Sequence, residues 1–426
     1  MEASVAATGS KIGLDDLVIF GGKPAFKEAL HVGRPNVGDR RAFEQRVGDI
    51  LDRRWLTNAG RYVQEFEQRI AEMIGVQHCI AMCNATIAIE IAIRATGMTG
   101  EVIVPSFTFV ATPHALQWQE ITPVFCDIDP TTHNLDPRRV EELITPRTSG
   151  IIGVHLWGRG CDIDALSEIA RRRGLKLLFD SAHAFGCSYH GRMIGGFGDA
   201  ELFSFHATKF FNTFEGGAVV TNDGELARKV RLMKNFGFSG YDEVTYIGTN
   251  GKMNEVSAAM GLTNLESMSD FMTVNYRNYR QYREQLSGPE GIKLMTYDES
   301  EACNFQYIVL EIDQSKALIN RNEVLQVLWT ENILARRYFY PGCHRVEPYR
   351  SYFPHAGMLL PQTEALTERV LVLPTGTAVG PEEIRKICQI ITLTLSHAQE
   401  VRERLRRQTL NFDLPKHIQA LASLVP

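Results

Sequence analysis

The feature that most constrains the fold is a regular alternation of short apolar runs with helical patterns between about residues 78 and 222. Amphipathic segments separate the runs, as in residues 162–173, where apolar side chains recur on one helical face. The apolar runs cover residues 79–82, 102–104, 124–128, 150–156, 175–179, 202–205 and 218–221. Strands that alternate with helices of this length are typical of a mainly parallel sheet between helices, so the pattern predicts an α/β protein.

The chain has 426 residues, which is enough for a large domain with a smaller partner. Helices are predicted within residues 39–72, around an irregular loop at 55–61, and over 268–286, 320–330 and 381–395. Beyond the long helix at 268–286, strands are predicted at 307–312 and 333–339. We therefore expect a disordered tail (1–14), a large domain (15–265) and a small C-terminal domain (266–426) that includes the linking helix.

Charge and cysteine usage restrict the partners and the compartment. Lys and Arg total 45 against 50 Asp and Glu, and this net charge of −5 argues against a nucleic-acid-binding protein. No apolar stretch is long enough to span a membrane, and the N-terminus lacks the apolar core of a signal peptide. The eight cysteines are scattered, without zinc-site spacing. We expect a cytoplasmic protein that binds no metal, no membrane and no nucleic acid.

One lysine stands in a polar cluster at the end of a predicted strand. The segment 204–217 reads Ser-Phe-His-Ala-Thr-Lys-Phe-Phe-Asn-Thr-Phe-Glu-Gly-Gly, and a second strand follows the two glycines. In such a dry site Lys209 can lose its proton and attack a carbonyl carbon, which makes it a candidate nucleophile. Taken alone, the residue is weak evidence, because most lysines are ordinary solvated surface groups.

Two other segments carry polar groups at predicted element ends. Asp180 ends the apolar run 177–180, where a carboxylate needs a cation such as a pyridinium nitrogen, or else caps a following helix. Residues 83–86, Cys-Asn-Ala-Thr, lead directly into a strongly helical run. A helix start with free amide groups suits a phosphate, and an ordinary capped helix is the alternative.

The order of these motifs resembles that of pyridoxal 5'-phosphate enzymes with the aspartate aminotransferase fold (fold type I). More closely, it is similar to the nucleotide-sugar aminotransferases of the DegT/StrS type, over about residues 20–391. The matching motifs lie at 55–57 (Trp-Leu-Thr), 104–109 (Val-Pro-Ser-Phe-Thr-Phe), 154–158 (Val-His-Leu-Trp-Gly), 180–183 (Asp-Ser-Ala-His), 206–209 (His-Ala-Thr-Lys), 215–217 (Glu-Gly-Gly) and 250–255 (Asn-Gly-Lys-Met-Asn-Glu). The resemblance implies that fold and that cofactor.

The resemblance also implies roles for individual residues. Lys209 matches the catalytic lysine that holds the cofactor covalently and then moves a proton between cofactor and substrate. The other matched positions are Asp180 at the pyridine nitrogen, His183 near the phenolic oxygen, Phe109 stacked on the ring, and Ala85, Thr86 and Ser204 at the phosphate. Asn250 matches a residue that reaches the phosphate from the neighbouring subunit, which implies a homodimer with shared sites. Thr57, Arg337 and Tyr338 are nominated as substrate contacts.

Lys209 indicates the reaction, because a related dehydratase branch carries histidine at this position. The resemblance implies transfer of an amino group from glutamate, through pyridoxamine phosphate, to C4 of a dTDP-linked 4-keto-6-deoxyhexose. The product would supply deoxyamino sugars for antibiotics or surface polysaccharide. Phe214 stands where the family often has glycine, and residues 58–60 stand where a Gly-Pro turn is common. The resemblance therefore indicates the type of reaction more firmly than the identity of the sugar substrate.

Three alternatives remain open at the level of sequence. Amination at C3 is the close one, because residue spacing does not show how the sugar ring lies over the cofactor. A regulatory protein that binds the cofactor would be expected to carry a DNA-binding module and a basic patch, and the sequence shows neither. An enzyme acting on an amino acid alone, such as an aldolase, lacks support from the sugar-type motifs.

Overall fold

A seven-stranded sheet lies at the centre of the computed structural model, which describes residues 11–408. In spatial order its strands are β2 (His78–Met82), β10 (Gly217–Thr221), β9 (Ala200–Ser204), β6 (Lys176–Asp180), β5 (Thr148–Val154), β3 (Glu101–Pro105) and β4 (Thr122–Cys126). β10 runs antiparallel to both of its neighbours, and the remaining strand pairs are parallel. The mainly parallel sheet confirms the predicted α/β class.

Helices cover both faces of this sheet, because successive strand residues point to opposite sides. In β2, Ile80 and Met82 face one apolar core, whereas Cys79 and Ala81 face another. The first core includes side chains of α3 (Ala85–Thr96), α4 (Ala111–Gln117) and α7 (Gly224–Met233). The opposite face is covered by α1 (Arg40–Arg53), α2 (Arg61–Ile74), α5 (Pro137–Glu142), α6 (Ile163–Arg173) and α8 (Glu255–Glu266). The sheet is therefore buried on both sides, as a parallel sheet requires.

A second unit follows the long helix α9 (Met268–Gln285). Its antiparallel sheet contains β11 (Ile292–Leu294), β12 (Ile308–Ile312) and β14 (Val370–Leu373). Its helices are α10 (Gln314–Ala317), α11 (Arg321–Thr330), α12 (Tyr349–Tyr352), α13 (Pro361–Thr367), α14 (Pro381–Ser396) and α15 (Ala398–Gln408), and a small hairpin of β7 (Ser188–Tyr189) and β8 (Arg192–Met193) lies earlier in the chain. These elements confirm the helices predicted near 268–286, 320–330 and 381–395 and the strand near 307–312.

The strand predicted at 333–339 is wrong beyond its first two residues. β13 covers only Ile333–Leu334, where it pairs in parallel with β1 (Leu30–His31). Because β1 is only two residues long, the ladder cannot continue, and Arg336 forms just an isolated bridge to Val372 before the chain turns.

The N-terminal segment packs against the C-terminal unit. Leu17, Phe26 and Leu30 are buried in the same apolar core as residues of α11 and α14. Lys11 is also buried, with its Nζ 2.9 Å from a carboxylate oxygen of Glu331. The sequence placed residues 15–30 with the large domain, whereas their partners lie near the other end of the chain. The predicted disordered tail falls largely on residues 1–10, which lie outside the described residues.

Across residues 11–408, no helix has both the length and the apolar character that crossing a bilayer requires. Within the same residues, no group of three or more His, Cys, Asp or Glu side chains is arranged to hold a metal ion. The polar groups singled out in the sequence lie instead at the carboxyl ends of β6 and β9, where connecting loops of a parallel sheet commonly form a site.

Candidate active site

Asp180 is the last residue of β6 and is held by two hydrogen-bond donors. The buried hydroxyl of Thr112, in α4, donates to Oδ2 at 2.8 Å, and the amide of Ala182 donates to Oδ1 at 3.1 Å. Residues 181–187 form turns and no helix, so the alternative in which Asp180 caps a helix is wrong. The carboxylate is therefore fixed at the sheet edge and still half-exposed to a ligand.

Lys209 lies in the turn that follows β9, with its Nζ 3.5 Å from the hydroxyl oxygen of Tyr307. Burial lowers the pKa of the ammonium to about 8, although the nearby negative charge of Asp180 acts in the opposite direction. An amine with this pKa loses its proton far more readily near neutral pH than an ordinary lysine does. The side chain can therefore act both as a nucleophile toward a carbonyl carbon and as an acid–base group.

The start of α3 lies beside the end of β9. The side-chain oxygen of Asn84 caps the helix, because it accepts a hydrogen bond from a backbone amide in the first turn. The amides of Ala85 and Thr86 form no hydrogen bond to any other described residue. Gly217 pairs with Ser204, and a Cβ at Gly217 would lie 2.7 Å from the amide nitrogen of Ala85. The missing side chain thus lets the helix start approach the strand that leads to the lysine. Free amides at a helix start form an anion-binding site.

Aromatic rings line the pocket next to the lysine. The buried ring of His183 lies 4.3 Å from that of Tyr307 and 5.9 Å from that of Trp157, measured between centroids. Burial, and then the positive charge of Lys209, keep the pKa of His183 well below its usual value, so the imidazole is neutral. Phe109 follows β3 and is 48% exposed, which leaves an apolar ring open to a ligand.

Tyr338 extends the same aromatic cluster from the C-terminal unit. Its ring centroid lies 6.3 Å from those of both Tyr307 and Trp157. Burial raises the pKa of its hydroxyl, and the guanidinium carbon of Arg336 lies 5.5 Å from its ring centroid. The structure therefore brings Tyr338 to the pocket, next to an arginine that the sequence did not nominate.

Arg337, in contrast, is engaged on the side of α11. Its Nη1 donates to Oδ1 of Asn322 at 3.1 Å, and its guanidinium carbon lies 4.5 Å from the ring centroid of Tyr340. Among the described contacts, none joins Arg337 to Lys209 or to Tyr338. Arg336 and Tyr338, two residues apart, thus share one side of the segment, and Arg337 lies on the other.

Two further predicted positions stand apart from the lysine within a single chain. Thr57 is exposed in the loop between α1 and α2, where the carbonyl of Leu56 accepts the amide of Glu255. Asn250 is exposed and bridges to Asn235. In the part of the chain that the structure describes, neither Thr57 nor Asn250 has a contact with Lys209 or Asp180.

Sequence reasoning missed Thr112 and Tyr307. Thr112 lies in the helix that follows the 104–109 motif. A hydroxyl so close in sequence to a matched motif could have marked Thr112 as a candidate site residue. Tyr307 precedes β12 and was counted only as a strand residue, although a hydroxyl at the start of an apolar strand needs a partner when buried. Each contacts a residue that the sequence did identify.

The geometry agrees with comparisons to known proteins. A family model described as the DegT/DnrJ/EryC1/StrS aminotransferase family matches residues 38–392. The chain belongs to this family. Membership confirms the predicted reaction class, amino transfer, and does not favour the regulatory or aldolase alternatives.

Individual relatives span nearly the whole chain. The dTDP-4-amino-4,6-dideoxy-D-glucose transaminase of Shigella dysenteriae is 40% identical over 367 residues, which are 86% of this chain and 99% of the relative. The dTDP-3-amino-3,6-dideoxy-alpha-D-galactopyranose transaminase of Aneurinibacillus thermoaerophilus is 30% identical over 366 residues, 85% of this chain and 98% of the relative. A crystal structure of DesI in the presence of its TDP-sugar product matches with a TM-score of 0.89 and 49% identity, covering 92% of this chain and all of DesI. These likenesses confirm the predicted aminotransferase fold.

Proposed function

We propose that this aminotransferase moves an amino group from glutamate to C4 of a dTDP-linked 4-keto-6-deoxyhexose. The observation that carries the reaction is a lysine amine of lowered pKa, close to Asp180 and beside the free helix start of α3. The choice of C4 is supported by the relative at 40% identity, whose name specifies a 4-amino sugar, over the one at 30%, whose name specifies a 3-amino sugar. The products would serve deoxyamino-sugar biosynthesis, for antibiotics or surface polysaccharide.

The pocket fits pyridoxal 5'-phosphate. The free helix start suits the phosphate, the fixed carboxylate suits the pyridine nitrogen, and an exposed aromatic ring suits stacking. The residues that would hold the group are Ala85, Thr86, Ser204, Asp180, His183, Phe109 and Lys209. When bound, this cofactor supplies an electron sink for the negative charge that develops at the substrate carbon.

The chain's own side chains supply proton transfer and orientation. Lys209, with a pKa of about 8, can release and accept a proton at Nζ near neutral pH. The amide of Trp157 donates to Nδ1 of His183 at 3.3 Å, so the neutral imidazole carries its hydrogen on Nε2. That nitrogen is a hydrogen-bond donor suited to a phenolic oxygen. The hydrogen bond from Thr112 holds the carboxylate of Asp180 in one orientation.

We further infer a homodimer with shared sites. Asn250 is exposed, and the loop before it carries exposed apolar side chains, which are typical of protein interfaces. These side chains are Phe236, Phe238, Tyr241, Val244 and Ile247. A second copy would cover them and would bring Asn250 to the neighbouring site. The eight unpaired cysteines support a reducing, cytoplasmic location.

The experiment that tests the function is product analysis. The purified protein, loaded with the cofactor, is mixed with glutamate and a dTDP-4-keto-6-deoxyhexose, and the new C–N bond is located by NMR. Nitrogen at C4 is expected, and a reaction without glutamate serves as the control. Amination of a 3-keto isomer in preference to the 4-keto sugar would favour the C3 alternative. Absence of any amino sugar from both acceptors would contradict the proposal.

A further inference from the structure

Residues 129–134, in the loop between β4 and α5, pack on the turn that carries Trp157. Oδ1 of the buried Asn134 accepts the amide of Leu156 at 3.0 Å, and its Nδ2 donates to the carbonyl of Gly160 at 2.8 Å. One side chain thus holds the backbone on both sides of the tryptophan. Trp157 itself has φ +62°, a left-handed conformation that a bulky residue keeps only when its surroundings enforce it.

The side chain of Trp157 is held by another residue of the same loop, His133. The indole Nε1 lies 3.2 Å from Nδ1 of His133, and both side chains are buried. Because an indole nitrogen can only donate, Nδ1 of His133 must be the acceptor, and the imidazole carries its hydrogen on Nε2. That nitrogen lies 3.3 Å from a carboxylate oxygen of Glu311, in β12.

Glu311 is suited to face that N–H group. Its carboxylate also lies 3.9 Å from Nζ of Lys293, whose positive charge favours the ionised form. An ionised carboxylate only accepts hydrogen bonds, so it stabilises the tautomer of His133 that the indole requires. The carboxylate of a catalytic triad orients its imidazole in the same way.

The backbone of Trp157 links this pair to the active site. Its amide donates to Nδ1 of His183 at 3.3 Å, and its indole stacks on that imidazole with 26° between the ring planes. A backbone amide can only donate, so Nδ1 of His183 accepts and Nε2 carries the hydrogen. From Glu311 to His183, each nitrogen therefore has a single role as donor or acceptor.

We propose that His133 is a positioning residue that, through the indole of Trp157, keeps the hydrogen of His183 on Nε2. The proposal rests on the proposed function, in which that N–H group faces the phenolic oxygen of the cofactor. Without the acceptor on His133, the buried indole N–H would lack a partner, which is costly, and Trp157 would turn to find one. This movement would draw its amide away from Nδ1 of His183 and make the tautomer with hydrogen on Nδ1 accessible.

¹⁵N NMR of the full-length, cofactor-loaded protein tests this role. His133→Leu removes the acceptor, whereas His133→Asn returns an oxygen near the position of Nδ1, in a residue type that tolerates the φ of +64°. The measured quantity is the ratio of Nε2–H to Nδ1–H in His183, whose signals are assigned from their loss in His183→Gln. The Leu variant should lower this ratio by about three- to ten-fold, the value of one hydrogen bond, and the Asn variant should restore most of it.

The indole signals show whether the change begins where we expect it. The chain has four tryptophans, so the N–H signal of Trp157 is readily assigned from its loss in Trp157→Phe. That signal should shift in His133→Leu and return toward its wild-type position in His133→Asn.

Two other signals serve as matched controls. Nε1 of Trp329 donates to the carbonyl of Ala335 at 3.0 Å, within the C-terminal unit. The buried His155 resembles the active-site histidine, because its Nδ1 accepts the amide of Cys161 at 3.0 Å. Neither signal should change in the variants, and circular dichroism checks that they are folded.

An unchanged His183 ratio in folded His133→Leu overturns the proposal, as does a fall in His133→Asn as large as that in the Leu variant. If His133→Leu does not fold, Trp157→Phe replaces it, because this variant removes the indole N–H and keeps an aromatic ring. The ratio should then fall by the same factor, and an unchanged ratio again overturns the proposal. Since the NMR needs no sugar substrate, failure of the proposed function is read separately, from the product analysis.

Discussion

The two sides of the pocket differ in how the chain builds them. The sheet side takes Asp180, Lys209 and the start of α3 from the ends of strands in one sheet. The opposite side combines residues 30–36 with residues 307–338, which are held together by β1 and β13. The sheet side carries the amine of Lys209, the carboxylate of Asp180 and the free amides of α3, whereas the opposite side carries Arg336 with the rings of Tyr307 and Tyr338. We therefore expect variants on the sheet side to lower turnover first, and variants on the opposite side to weaken substrate binding first.

The largest effect should come from the sheet side. Lys209→Ala removes the amine that attacks and transfers protons, so turnover should fall by at least roughly 10²- to 10⁴-fold. Amino-sugar formation is measured by NMR on the folded variant, together with mass spectrometry for covalent attachment of the cofactor after borohydride reduction. Lys293→Ala, at an exposed lysine of the C-terminal unit, is the control and should keep full activity. Wild-type turnover in Lys209→Ala would remove the lysine from the mechanism.

The same contrast explains what the sequence could predict. Asp180 ends one apolar run and Lys209 lies in the turn after another, so the alternation that predicts the strands also predicts roughly where these side chains emerge. The central sheet and the long helices were predictable for the same local reason. No local pattern reveals that Leu30 lies beside Ile333, because a ladder of two residues has no periodicity. The sequence likewise did not nominate Arg336, whose guanidinium carbon lies 5.5 Å from the ring centroid of Tyr338.

A second prediction concerns the pH dependence of the sheet side. In the cofactor-free protein, the pKa of about 8 means that the unprotonated fraction of Lys209 should rise from about 1% at pH 6 to about 50% at pH 8, roughly fifty-fold. The rate of covalent cofactor attachment, followed by absorbance, should rise in parallel. A midpoint near the ordinary lysine value would contradict the role of burial.

The sign of the corresponding stability change follows from the same lowered pKa. Between about pH 8 and 10.5 the unfolded chain binds more protons at Lys209 than the folded chain does. The contribution of this lysine to the free energy of unfolding should therefore become more favourable as pH rises through that window, and should stay at its least favourable value below it. Comparison of wild type with Lys209→Met in denaturant titrations isolates this contribution.

Thr112 tests whether the sheet side depends on a residue outside the strand ends. Thr112→Val removes the donor to Oδ2 of Asp180 while keeping the side-chain shape, so turnover should fall by about ten-fold. The KM for the sugar nucleotide should stay unchanged, because the hydroxyl of Thr112 acts through the carboxylate of Asp180. Thr112→Ser keeps the hydroxyl and should retain most of the activity. A higher KM with normal kcat would mean that the two sides are not separate.

Tyr307 is the position where the two sides meet, and it should give the smallest effect. Burial raises the pKa of its hydroxyl, which therefore stays protonated and neutral, and its contact with Nζ of Lys209 is long, at 3.5 Å. Tyr307→Phe should lower kcat by about two- to five-fold, the value of one weak hydrogen bond. Because the hydroxyl accepts from the ammonium, its loss should also shift the midpoint of cofactor attachment to slightly lower pH. Tyr338→Phe, in the same aromatic cluster but without that contact, should leave the midpoint where it is. If Tyr307→Phe instead raised KM alone, the hydroxyl of Tyr307 would contribute to substrate binding only. Lys209 would then be positioned entirely by the turn that follows β9.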